Sequence, residues 1–132
     1  MASSNYARVK ARRCAVQALY QWHLSGAEPA AIVAEFLSDR EVESVDVEYF
    51  SALTREIPRL EPELRTELAT AIDRPWERIG PVERSVLLLG VYEAIELCKM
   101  FGADEAHRYV NGVIDKLARR IRKLEVEGAA GR

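Results

Sequence analysis

Two cysteines and two histidines are all the thiol and imidazole chemistry that this 132-residue chain offers. Cys14 and Cys98 are too few and too far apart for a zinc site or a disulfide framework. Both sit among apolar residues, as buried thiols do in a reducing compartment. No apolar run reaches the ~18 residues that suggest a membrane span. The N-terminus lacks the apolar core of a secretory signal, because its basic residues lead straight into an amphipathic stretch. A soluble, cytoplasmic protein is expected. His23 stands alone near Gly26, and the acids Asp104 and Glu105 beside His107 suit the start of a helix as partners of its dipole. Without a glycine-rich phosphate loop or metal-ligand spacing, neither an enzyme nor a cofactor is expected.

Acidic residues are absent before Glu28, although the whole chain carries a net charge of −2. Residues 1–27 hold Arg8, Lys10, Arg12 and Arg13 and no acid, for +4. Residues 28–77 hold thirteen acids and five bases, for −8, and residues 78–132 hold eight acids and ten bases, for +2. Such segregation can hold phosphates at both ends of the chain, and a set of solvated faces is the plain alternative.

Strand-like alternation is missing too, and a helical period recurs throughout, so an all-α fold is expected. Length and a 48% hydrophobic content suit one compact domain over residues 1–126, with 127–132 as a flexible tail. Cys14, Ala15, Ala18, Leu19 and Trp22 form the apolar stripe of a first helix, capped by Ser4 or Asn5 and ended by Gly26. Pro29 suits the first turn of a second helix carrying Ile32, Val33, Phe36 and Leu37. Asp46 can cap a third, with Val47, Phe50, Leu53 and Ile57 facing one way until Pro58 stops or kinks it. Glu61-Pro62 then opens another, with Leu64, Leu68, Ala71 and Ile72 inward. Ile79-Gly80-Pro81 starts the most apolar segment, which should be the core helix. The last helix begins near Asp104. It places Val110, Val113 or Ile114, Leu117, Ile121 and Leu124 on one side, and Arg108, Lys116, Arg119, Arg120, Arg122 and Lys123 on the other.

Binding is better supported than catalysis. Arg13, Gln17 and Tyr20 fall at i, i+4 and i+7 of the first helix and share a face. Guanidinium and amide groups beside an exposed ring suit single-stranded RNA, whose phosphates need cations and whose bases stack on aromatic planes. Spacing alone is served slightly better by a core tyrosine whose hydroxyl reaches the surface.

Ala11-Arg-Arg-Cys-Ala-Val-Gln-Ala-Leu-Tyr-Gln-Trp22 resembles the opening helix of the NusB family of bacterial transcription antitermination factors. Val45-Asp-Val-Glu-Tyr-Phe50, Gly80-Pro-Val-Glu-Arg-Ser-Val-Leu87 and Phe101-Gly-Ala-Asp-Glu-Ala-His-Arg-Tyr-Val-Asn-Gly-Val-Ile-Asp-Lys116 fit the same family, collinearly over nearly the whole chain. The resemblance implies two small packed helical bundles and no enzymatic activity. It implies a ribosomal-protein partner, NusE, and joint binding of the boxA element of ribosomal RNA leaders, which makes RNA polymerase resistant to termination. By this resemblance Arg8, Lys10, Arg12 and Arg13 meet RNA phosphates. Tyr20, Glu105, Arg108, Tyr109 and Asn111, which is followed by Gly112, fall at the RNA contact. Glu83, Tyr20 and Trp22 fall at the partner surface. A carboxylate near RNA can accept hydrogen bonds from base amino groups, so Glu83 or Glu105 would serve selectivity more than affinity.

The chain departs from its relatives inside the best-matching region. NusB-like sequences run from a core helix ending in Tyr-Glu, through a polar loop, into an antiparallel helix that leads to Ala-Ile-Glu-Leu. Here Tyr92-Glu93 joins directly to Ala94-Ile-Glu-Leu97. Residues 81–101 become one apolar stretch, roughly 31 Å if wholly helical. Gly90 is the only weak point at which the chain could reverse, and a poor one. If it does not reverse there, the RNA track is split and Leu87, Leu88 and Val91 are open to self-association. Two other readings stand beside antitermination: an RNA-docking module of a ribosomal RNA methyltransferase, and a protein-interaction bundle that has lost RNA binding.

Overall fold

The computed structural model describes residues 4–39 and 44–130, with the side chains of 39, 103–107 and 129–130 outside that description. Among the described residues there are five helices and one short 3-10 turn, and no strand. They are α1 (Asn5–Ser25), α2 (Pro29–Asp39), α3 (Val47–Leu68), the 3-10 turn Trp76–Arg78, α4 (Pro81–Cys98) and α5 (Ala103–Ala130). The chain divides into two compact units, Met1–Glu61 and Pro62–Arg132, and the boundary falls within α3.

In the first unit the expected caps are present. The Ser4 hydroxyl accepts from the Ala7 N–H at 3.1 Å, and Gly26 closes α1 in the left-handed region at φ 68°. The buried face of α1 is small-sided: Ala11, Ala15, Ala18 and Leu19, with Cys14 and Trp22 half-buried at its margins. Small side chains let neighbouring helices approach closely, and α2 packs here with Ile32, Val33 and Phe36 buried. Phe36 meets Phe50 of α3 at a ring separation of 5.4 Å, a tilted pair contributing about 0.5–1.5 kcal/mol beyond its area. Asp46 caps α3 by accepting from the Tyr49 N–H at 3.0 Å. Its own N–H donates to the Ala7 carbonyl at 3.2 Å, so α3 begins beside the first turn of α1.

Pro58 and Pro62 were expected to end one helix and open another, but α3 runs through both. Each proline forfeits one backbone hydrogen bond, and the helix persists because its apolar stripe never breaks step. Phe50, Leu53, Ile57, Leu64 and Leu68 are all buried, and the seven-residue step from Ile57 to Leu64 is two helical turns.

In the second unit Gly80 is the N-cap of α4, Pro81 stands at its first position, and the Ser85 hydroxyl donates to the Pro81 carbonyl at 2.7 Å. Helix α4 is the core helix, with Leu87, Leu88, Leu89, Val91, Ala94 and Cys98 buried. Leu87, Leu88 and Val91 are therefore not the exposed apolar surface that an unreversed chain would leave. The chain does not reverse at Gly90. It turns at residues 99–102, where the N–H groups of Lys99, Met100 and Phe101 donate to carbonyls of the last turn and Gly102 takes φ 96°. Helix α5 then packs back along α4. Gly90 faces Leu117, while Val82 and Val86 share a groove with Ile121 and Leu124, so the two helices are antiparallel. Val110 and Ile114 are buried as expected, Leu117 and Ile121 are half-buried, and Leu124 is exposed. Residues 127–130, expected as tail, continue α5; residues 131 and 132 lie outside the described residues.

An ion-pair chain ties the loop before the 3-10 turn to α5. Arg74 contacts Asp73 at 3.2 Å and Glu125 at 2.7 Å, and Arg122 contacts Asp73 at 3.3 Å.

Candidate nucleic-acid interface

The basic residues of α1 separate into two sets when placed on a helix turning 100° per residue. Lys10, Arg13, Gln17 and Tyr20 fall within an arc of about 80°, opposite the buried alanines. Arg13 and Gln17 are exposed, and Tyr20 is 39% exposed. The other pair, Arg8 and Arg12, flanks the packing face and turns toward α3. Their guanidinium carbons lie 3.9 Å and 5.5 Å from the centre of the Tyr49 ring, and the Lys10 ammonium lies 4.9 Å from the ring of Tyr6. Trp22 is half-buried and packs against His23 at 4.9 Å between ring centres.

Tyr49 had no assigned role in the sequence, although it stands in the stretch Val45–Phe50 and three residues past the Asp46 cap. Its position on α3 follows from that cap. Its meeting with Arg8 and Arg12 depends on how α3 docks against α1, which no local pattern specifies.

In the second unit Arg108, Tyr109 and Asn111 are exposed near the start of α5, and Tyr109 is 50% exposed. The side chain of Glu105 lies outside the described residues. Leu97, Met100 and Phe101 are exposed at the adjoining turn. Glu83 is half-buried at the far end of α4, where its carboxylate occupies the space a Cβ on Gly80 would need. Antiparallel packing sets Glu83 opposite Leu124 and Glu125. The sixteen residues from Arg108 to Leu124 put it about 24 Å from Arg108 along the axis. Glu83 and the Arg108–Asn111 group are therefore not brought together.

Among the described residues no group of His, Cys, Asp and Glu could hold a metal ion, and no helix is long and apolar enough to cross a membrane. The described residues thus define an all-helical protein whose first helix is basic and carries no acid. Residues 9–119 match the NusB family. The transcription antitermination protein NusB of Shewanella amazonensis is 43% identical over 128 residues, covering 86% of this chain and 96% of that protein. The NusB of Serratia proteamaculans is 42% identical over 132 residues, covering 89% and 96%, and that of Nitrosospira multiformis 40% over 130, covering 87% and 82%. The chain belongs to the NusB family, a family of transcription antitermination factors and not of enzymes.

Proposed function

We propose that this chain is a transcription antitermination factor. In this reading it binds the boxA element of ribosomal RNA leader transcripts together with the ribosomal protein NusE, within the antitermination complex of RNA polymerase. Family membership supports the antitermination role. The observation that carries RNA binding is the acid-free start of α1, which gathers Arg8, Lys10, Arg12 and Arg13 within six residues beside exposed Gln17 and Tyr20. In this reading the four cations take phosphates and Tyr20 and Tyr109 stack on unpaired bases. Arg108 adds a phosphate contact, and Glu105 and Asn111 meet base edges. Glu83, Tyr20 and Trp22 face NusE.

One observation favours a second reading. The reversal at residues 99–102 sets Glu83 about 24 Å from Arg108, so this shortened chain could have kept a protein partner while losing part of an RNA track. Fluorescence anisotropy of boxA RNA with NusE, at two salt concentrations, separates the two. The chain is compared with Arg12→Ala/Arg13→Ala and with a version carrying the missing family segment. Salt-sensitive binding that weakens in the double variant supports the RNA-binding factor. Binding by the lengthened version alone supports the interaction bundle.

A further inference from the structure

Tyr49 holds two cations that the RNA-binding reading needs, and its own place is tightly fixed. Its N–H donates to the Asp46 carboxylate at 3.0 Å, and the Asp46 N–H donates in turn to the Ala7 carbonyl at 3.2 Å. Phe50, the next residue, is 1% exposed. The ring is therefore anchored between α1 and the interior of the first unit. Arg8 lies over it at 3.9 Å, and Arg12, one helical turn on, at 5.5 Å. Arginines on an open helix sample many rotamers, and fixing them on a phosphate costs that freedom at the moment of binding. A guanidinium lying on a ring has paid much of this cost already. Stacking uses the face of the guanidinium and leaves its N–H edge geometry suited to the forked contact that phosphate oxygens accept.

We propose that Tyr49 is a positioning residue for phosphate recognition, its ring holding Arg8 and Arg12 side by side for two neighbouring phosphates of a single-stranded RNA. This rests on the RNA-binding reading above. The ring itself touches no RNA; it acts through the two arginines. Lysine cannot replace them, because an ammonium has no flat face to stack and no fork.

The test is anisotropy of boxA RNA with the full chain and NusE across a salt series. Tyr49→Leu is expected to weaken binding about three- to tenfold, within the roughly two- to thirtyfold span that loss of one or two exposed cation–π contacts implies. Tyr49→Phe is expected to restore most of that loss. Arg8→Lys/Arg12→Lys is expected to weaken binding by a similar factor with the charge unchanged, and it keeps the test open if Tyr49→Leu folds poorly. In an Arg8→Ala/Arg12→Ala background Tyr49→Leu is expected to add nothing, since its effect passes through those arginines. Wild-type affinity in Tyr49→Leu or in the lysine pair, or an equal further loss in the alanine background, would overturn the inference. If those results came with weakened Arg12→Ala/Arg13→Ala, the RNA-binding reading would stand without it. Failure of the unmodified chain to bind RNA would overturn both.

Discussion

Leu117 of α5 lies against the bare backbone of Gly90, so close that a Cβ at position 90 would stand 2.5 Å from its Cδ1. The glycine that looks like a turn in the sequence is instead a close crossing of two antiparallel helices. That crossing, with Val86 beside Ile121 in one groove, holds α5 along α4.

Replacing Gly90 should therefore separate side-chain bulk from backbone freedom. Gly90→Ala adds helix propensity worth about 1 kcal/mol and asks only the flexible end of Leu117 to move, so stability should change by less than about 1 kcal/mol. Gly90→Leu cannot be accommodated so easily and should cost about 1–3 kcal/mol as overpacking. Adding Leu117→Ala should recover part of that cost. Urea unfolding of the four chains measures all of this, and equal stability of Gly90→Leu and wild type would refute the close crossing.

Thr54 supplies a second prediction. Its hydroxyl oxygen is buried with no hydrogen-bond partner among the described residues, on a residue that is 1% exposed. Valine has the same shape without the desolvated hydroxyl, so Thr54→Val should raise stability by about 1 kcal/mol. Thr54→Ser keeps the hydroxyl, loses a methyl and should lower it. A calorimetric midpoint that falls for Thr54→Val would mean the hydroxyl is satisfied.

Much of the fold is legible in the sequence, because caps and apolar stripes are local. Ser4, Gly26, Asp46 and Pro81 act where their chemistry predicts. Pro58 and Pro62 look like punctuation locally, yet α3 runs through both. The stripe Phe50, Leu53, Ile57, Leu64, Leu68 keeps helical step across both rings, and burial on that scale outweighs two lost hydrogen bonds. The candidate interface is legible only in part. The basic run of α1 is plain from its lack of acids, whereas its division between an outer arc and the Tyr49 ring depends on the docking of α3. The reversal of α5 was hidden because Gly102 follows an apolar run that can continue as helix.

The ion-pair chain at the loop before α4 predicts a pH dependence. The Arg74 hydrogen bond, with Arg122 nearby, holds the Asp73 carboxyl below its ordinary pKa of 3.8. A carboxyl whose pKa is lower folded than unfolded contributes stability above the unfolded value and loses it as pH falls through the folded one. Asp73→Asn should thus be less stable than wild type at neutral pH, with the difference shrinking in acid below about pH 4. Because Asp73 is exposed, 1 M salt should shrink the difference as well. Denaturant midpoints at pH 7 and pH 3 test the sign; a gap that widens in acid would contradict it.

Glu83 is where a structural role and a binding role can be told apart. Its carboxylate folds back over Gly80 at the N-terminus of α4, where a negative charge meets the positive end of the helix dipole. That interaction is worth about 0.3–1 kcal/mol, so Glu83→Gln should lower stability by this amount. Gly80→Ala should have a similar cost by a different route, because the new methyl displaces the same carboxylate. The two variants diverge at the partner surface. If Glu83 meets NusE only after swinging away from Gly80, Gly80→Ala frees it and should leave NusE affinity intact or raise it, whereas Glu83→Gln should lower it. Titration calorimetry with NusE, beside thermal unfolding of both variants, decides the matter. Equal NusE affinity in all three chains would assign Glu83 to the helix start alone.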